Sequence, residues 1–396
     1  MKSLTFFLVI IQFCALPCMA QDKQTLPIHV GAAKISITPG QESLPKNYLG
    51  INDSIYTRAI VIDNGKTSAA LVSVEVGMLR DNNWSSITQQ IEKEIGIPAK
   101  NILLTATHTH SVPFTIGGVQ LEQKIVESVK QAKDVLQPAR MGYGTGVSYI
   151  NVNRNIIDPE TRSWWEGPNY EGPSDKTVAV LYFEALDGTP IAVYYNYAMH
   201  AVLAGQLDMV SGDAPGAASR YIENSYDNKL VALWSTGCEG DQNPLYFQQT
   251  FDLRDIRIKD YAKRGEDISN AMPPGGMGLD RNDPVVKKLM NQQKEITNAM
   301  GVLLGEEVKH VIKSINRTET TTSIAGAQKI VTIPGRNRTN TGRAGYTGTY
   351  VDGDPVKIRL GVLLLNNIAI GSINAEVFNS IATQLKKESP FTRTMV

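Results

Sequence analysis

Six stretches of this chain are apolar almost throughout: "TRAIVID", "SAALVSVEV", "NILLTAT", "TVAVLYFEAL", "PIAVYYNYAMH" and "KLVALWSTG". Each is short, rich in β-branched residues and bounded by turn-forming residues, so each reads as a strand, with "NILLTAT" and "KLVALWSTG" as buried ones. Helical spacing appears between them. Residues 82–94 put Trp84, Ile87 and Ile91 on one side, with Asn82 or Asn83 as cap, and residues 119–135 repeat apolar side chains at three and four. Residues 214–225 read as a further helix, and Asp283 caps a long one carrying Val285, Leu289, Ile296, Met300, Leu304, Val308 and Ile315. Strands alternating with helices predict an α/β fold of mixed β-sheets with flanking helices, in a single large catalytic domain. Two segments read as loops: the polar residues 252–283 around "MPPGGMG", and "PGRNRTNTGRAGYTGTYVDGDP", long enough to cover a site. After the second, "VKIRLGVLLLNNIAIGSI" reads as a hairpin turning at "NN".

The chain has 396 residues with 39 basic and 39 acidic side chains, which leaves no long-range field to gather nucleic acid or anionic lipid. Lys2, the apolar "LTFFLVIIQFCALP" and "CMA" form a secretory signal peptide over residues 1–20, cut after Ala20. Residues 21–396 are then the exported domain, secreted or periplasmic. Cys14 and Cys18 leave with the signal, so an intramolecular disulfide is excluded. Cys238 reads as a buried small hydrophobe, with a nucleophilic thiol as the alternative. No later segment is long and apolar enough to span a bilayer.

The chemistry gathers at strand ends. Only five histidines occur, and two of them, His108 and His110, follow "NILLTAT" one residue apart. Within a strand, residues two apart face one side, so both imidazoles would enter one space. Two core histidines satisfied by Thr107, Thr109 and Ser111 are the alternative. His200 closes a second apolar strand and Glu376 opens a helix after a third. Imidazoles plus one carboxylate suit Zn²⁺ with an open position, whereas a structural zinc site would draw on cysteines. Arg154 in "NVNRN" reads either as a surface residue or as an oxyanion clamp, and the turns "VSGDAPGAAS" and "STGCEGDQNP" offer backbone N–H groups.

The ordered set "GAAKISITP", "YTRAIVID", "ALVSVEVG", "LLTATHTHS", "NVNRN", "VYYNYAMH", "SGDAPG", "STGCEGDQNP" and "AEVFNSIATQLKKESPF" resembles the neutral, non-lysosomal ceramidase family. These are amidohydrolases that cleave the N-acyl bond of ceramide. The resemblance implies His108, His200 and Glu376 as Zn²⁺ ligands, His110 beside the metal or on the substrate oxygen, and Arg154 on the scissile carbonyl. It implies a zinc-bound hydroxide as nucleophile and a lipid-like N-acyl substrate, with no nucleic acid as partner.

Two departures stand out. The family's G-D-x-S-P-N serine is replaced by Asn243, whose amide can donate to an oxyanion but cannot act as a nucleophile. The family's fourth ligand is a tyrosine beyond the "KKESPF" region, and Tyr346 and Tyr350 precede Glu376, so neither takes its place. The family's C-terminal part is expected to be absent. Alternatives to a ceramidase-like hydrolase are a zinc hydrolase of another amide or ester, and a binding protein that kept the fold without catalysis.

Overall fold

In the strands of the central sheet, successive side chains enter different cores, as the two-residue repeat of a pleated strand requires. Ile60, Ile62, Leu71 and Leu103 point into the same interior as Leu181, Phe183, Tyr194 and Leu233. Their neighbours Val61, Val72 and Leu104 point the opposite way, onto helices α1 (Asp81–Ile95) and α2 (Val119–Asp134). Val180, Tyr195 and Trp234 likewise meet α3 (Asp213–Ser225) and, beyond α4 (Gln248–Ala262), the long helix α5 (Pro284–Ser314). The sheet therefore closes on itself, giving the layers helix, sheet, sheet, helix. This computed structural model describes residues 25–113, 116, 118–268, 278–340 and 348–396. The signal-peptide reading of residues 1–20 and most of "MPPGGMG" lie outside the described residues.

The strand order across this sheet is Val231–Thr236, Pro190–Tyr197, Thr177–Ala185, Gln137–Val147, His29–Ser36, Tyr56–Asp63, Ser68–Val74 and Ile102–Ala106. The pairings at its two ends are parallel and those between are antiparallel. Curling brings the end strands together: Thr236 Oγ1 donates to the Ala106 carbonyl at 3.1 Å. A second sheet of Ile324–Arg338, Tyr350–Leu365, Ile368–Ile373 and Arg393–Met395 adds Leu363, Leu365, Ile370 and Met395 to the central core. Between its last two strands lies α6 (Asn379–Glu388).

Mixed sheets with flanking helices agree with the α/β expectation. Asp283 accepts from the backbone N–H of Val285 and Val286 at 2.7 and 3.2 Å and caps α5 as expected. The "NN" turn is also present, with Asn366 at a φ of 55°. Other readings need correction. Helix α1 starts at Asp81 behind Arg80, with no side-chain cap, so Asn82 and Asn83 lie in its first turn. Residues 252–262 belong to α4, whose buried side includes Arg257 as well as Leu253 and Tyr261. Arg257 reaches buried Asp208 at 3.0 Å, so an inward position carried a charge and hid the helical stripe. Among its described residues the Gly- and Arg-rich segment is mostly strand: Gly335 pairs with Gly353, Arg336 with Asp352 and Arg338 with Tyr350. Gly335 sits at a bulge where a Cβ would lie 2.0 Å from the Asp354 carbonyl oxygen. Its glycine serves close strand approach, not a turn. Residues 341–347 of that segment lie outside the described residues.

Candidate metal centre

His108, His110, His200 and Glu376 each follow a strand end by a few residues, whereas Arg154 and Asn243 lie within the strands Asn151–Ile157 and Gln242–Pro244. The strand Ile102–Ala106 stops before His108, which adopts a left-handed φ of 61°. Such a backbone costs a non-glycine residue about 1–3 kcal/mol and persists where its surroundings hold it. Here Thr107 N–H bonds the Val74 carbonyl, His108 Nδ1 lies 2.7 Å from the Gly77 carbonyl, and His110 N–H bonds the Ala201 carbonyl at 2.9 Å. The turn, not strand alternation, brings the His108 and His110 Nε2 atoms to 3.3 Å, which corrects the reason given for their convergence.

His200 lies three residues beyond Tyr197 and is almost fully buried. Its backbone N–H bonds Gln242 O at 2.9 Å and its Nδ1 lies 2.7 Å from Glu239 O. Glu376 lies three residues beyond Ile373 and ahead of α6, with Oε1 3.3 Å from His108 Nε2 and Oε2 3.5 Å from His200 Nε2. Gly240 fixes that approach: its N–H bonds the Val377 carbonyl, and a Cβ there would lie 2.7 Å from the Glu376 carbonyl oxygen. Arg154 Nη2 donates to Gly240 O at 2.7 Å and stands 4.0 Å from Glu376 Oε2. Five of the six predicted site residues thus meet. Asn243 is one link away, its amide donating to Glu166 Oε1 at 3.2 Å, while Glu166 lies 3.9 Å from Arg154 and 3.7 Å from Arg254.

Sequence reasoning missed Gly77, Glu239 and Glu166. The two carbonyls have no side-chain signature, and Glu166 arrives from a separate small sheet formed by Asn151–Ile157, Trp164–Asn169 and Gln242–Pro244. Glu239 stood inside a noted turn. Burial pushes its carboxyl up to about 7, partly opposed by His108.

The donor set fits a cation. A carbonyl oxygen only accepts, so the Nδ1 atoms of His108 and His200 carry the hydrogens and both Nε2 atoms present lone pairs. In tetrahedral zinc coordination with bonds of ~2.0–2.1 Å, neighbouring ligand atoms lie roughly 3.3 Å apart. The separations from Glu376 to His108 and His200 are 3.3 and 3.5 Å. The three imidazoles also group, their nitrogens all within 4.8 Å of one another. The neighbouring His108 and His200 imidazoles hold the Glu376 carboxyl well below the usual carboxylate range. Burial lowers His200. His108 is raised, because Glu376 and Gly77 outweigh its burial. His110 is open to solvent on one side, but burial of the rest of its ring and then the two neighbouring imidazoles push it down to about 3, so it is neutral at pH 7.

A cavity of about 440 Å³ adjoins His108, Glu239 and Glu376, with Met78, Leu79, Trp84 and Ile373 among its walls. At its rim Arg359 stacks on Trp84, 3.7 Å from the ring centre, and pairs with Asp81. Among the described residues no helix is long and apolar enough to cross a membrane.

Residues 38–354 match the sequence model described as "Neutral/alkaline non-lysosomal ceramidase, N-terminal". The neutral ceramidase of Pseudomonas aeruginosa is 26% identical over 296 residues, covering 64% of this chain and 43% of that protein. That of Drosophila melanogaster is 24% identical over 254 residues, 56% of this chain and 36% of its own length. The chain thus matches less than half the length of these relatives. The crystal structure of the Pseudomonas aeruginosa neutral ceramidase superposes with a TM-score of 0.62 at 16% identity, over 87% of this chain and 62% of that one. A ceramidase complexed with C2 gives the same score and identity, over 87% and 63%. At that identity the likeness concerns the fold.

Proposed function

Because this chain belongs to the neutral/alkaline non-lysosomal ceramidase family, we propose that it is an exported, zinc-dependent amidohydrolase that cleaves an N-acyl amide bond of ceramide or a related lipid. The observation carrying this reading is one spacing: a glutamate and two histidines from three strand ends, held 3.3 and 3.5 Å apart with both imidazole lone pairs aimed inward. His108, His200 and Glu376 are the proposed ligands. Zn²⁺ bound there supplies Lewis acidity, lowering the pKa of a coordinated water to ~7 and polarising a carbonyl.

The chain's own groups do the rest. The Gly77 and Glu239 carbonyls fix the imidazole tautomers, so no rearrangement precedes binding. Arg154, held by Gly240 O, presents a permanent positive charge beside Glu376 and stabilises negative charge as it grows on the scissile carbonyl oxygen. Neutral His110 hydrogen-bonds the substrate oxygen or receives a proton. Asn243 supports Glu166, which in turn faces Arg154. The apolar walls of the adjoining cavity suit a hydrocarbon chain.

The test uses the protein expressed from residue 21 and loaded with zinc. It releases fatty acid from a fluorescent N-acyl sphingosine, and His108→Ala loses both metal and turnover; equal activity in that variant overturns the reading. Asn243 in the serine's place favours one second reading, a zinc hydrolase of another amide or ester, and a panel of small N-acyl and O-acyl substrates separates the two.

A further inference from the structure

A single turn, residues 239–242, reaches three residues of the metal centre. Glu239 O accepts from His200 Nδ1 at 2.7 Å and Gln242 O from the His200 backbone N–H at 2.9 Å. Between them, Gly240 O accepts from Arg154 Nη2 at 2.7 Å and Asp241 O from the Arg154 backbone N–H at 2.8 Å. Glu376 is reached from the other side of the turn, where Gly240 N–H bonds the Val377 carbonyl at 2.9 Å.

The side chain of Asp241 completes this arrangement. It is buried, and its carboxylate accepts from several directions: Oδ1 from Asn379 N–H at 2.8 Å and from Gln242 Nε2 at 3.0 Å, Oδ2 from Asn153 Nδ2 at 3.1 Å. Asn153 precedes Arg154 in its strand, and Asn379 opens α6 three residues after Glu376. The helix needs an outside acceptor. Its N-cap residue is Phe378, whose side chain cannot accept a hydrogen bond, so the N–H of Asn379 turns to a carboxylate 138 residues back in the chain. Negative charge at that place also suits the positive end of a helix. A carboxylate only accepts, so it can serve all these donors together, whereas an amide in its place would turn an NH₂ toward one of them.

Arg154 and Glu376 stand 4.0 Å apart yet arrive from different sheets, the small three-stranded one and the second sheet. We propose that Asp241 is a positioning residue for the reaction: its carboxylate ties the strand of Arg154 to the helix behind Glu376 and so sets the guanidinium against the metal-binding carboxylate. The proposal rests on the metal centre described under the proposed function. Removing a partner that stands behind metal ligands typically costs about 10–100-fold in metal affinity or activity.

Two variants of the chain expressed from residue 21 test it. Asp241→Asn keeps the shape and sets an NH₂ against a donor. Asn379→Pro leaves Asp241 in place and deletes the N–H it accepts, at the first helical position, where proline is tolerated. Chelator competition should show both variants holding zinc ~10-fold or more weakly. At saturating zinc, Asp241→Asn should lower kcat ~10-fold with KM unchanged, because Arg154 acts on charge that grows in the transition state. In the zinc-free proteins, hydrogen exchange across residues 375–383 should run ~10-fold faster in Asp241→Asn, as loss of one charge-assisted hydrogen bond implies. Wild-type zinc affinity and kcat in Asp241→Asn overturn the proposal, whatever its melting temperature, since the residue then only braces the fold. If that variant does not fold, Asn379→Pro decides by zinc affinity alone, and a wild-type value overturns the proposal. Failure of the proposed function reads differently. A wild-type protein that hydrolyses no N-acyl substrate, while the variants lose zinc affinity, supports the positioning and removes the activity. In a wild-type protein that binds no zinc, faster exchange in Asp241→Asn supports the positioning and equal exchange overturns it.

Discussion

Two buried polar clusters in this molecule look alike in composition and differ in closure. Around Arg58, the guanidinium donates to Glu223 at 2.7 Å and to Glu75, and Lys34 adds a third contact at 2.8 Å to Glu223. Arg58, Glu75 and Glu223 are all at most 2% exposed, and donors there meet acceptors. Around His108 and His200 the pattern is reversed: with both Nδ1 atoms committed to carbonyls, the two Nε2 lone pairs converge on the Glu376 carboxylate, all of them acceptors. The first cluster completes itself with its own cation and holds the fold. The second is complete only when a cation arrives from outside, and such an excess of convergent acceptors marks a binding site.

Predictions break or sharpen this contrast. His108→Ala should empty the open cluster, lowering turnover by ~10³-fold or more, about 4 kcal/mol of barrier. Its metal-free melting temperature should stay near wild type, and elemental analysis beside a melt checks both. Arg58→Met should do the reverse: it strands two buried carboxylates and costs about 3–5 kcal/mol of stability. Urea titration measures that, while zinc per folded molecule stays the same. Arg154→Ala should keep the metal and lower kcat ~10²-fold or more, about 3 kcal/mol. Loss of zinc would instead make Arg154 a structural brace. His110→Ala should also retain zinc while turnover falls ~10²-fold; if zinc leaves, His110 is a ligand.

The smallest effect concerns a third buried group. Burial raises Asp213 to about 7, against two backbone donors, Ala204 and Ala214. A carboxyl that holds its proton more tightly folded than unfolded favours the folded state below its unfolded value of 3.8, and this preference is lost as pH rises through about 7. Denaturation midpoints from pH 4 to 8 should show that fall in the wild type relative to Asp213→Asn, whose amide does not titrate. Parallel profiles would refute it.

Much of the architecture was visible as pattern. Alternation along "TRAIVID" and "TVAVLYFEAL" reflects strands buried on both faces, and Asp283 announced α5 because a capping carboxylate is a local device. What escaped notice was non-local. The buried pair of Arg257 with Asp208 disguised α4, and glycines read as turn signals proved to be points where strands pass closely. At the site, His108, His110, His200 and Glu376 were recognisable as residue types near strand ends, while Arg154 stood open between a surface residue and an oxyanion clamp, and the fold brings all five together.

By itself, then, the sequence determined which segments bury themselves and which chemistry-bearing side chains end them, because apolar periodicity and capping act over a few residues. Only the tertiary structure decided the rest. A sheet that curls until Thr236 meets Ala106, a left-handed turn at His108, and the Gly77 and Glu239 carbonyls together aim the imidazoles at Glu376. Those contacts join residues far apart in the chain, so no local pattern records them.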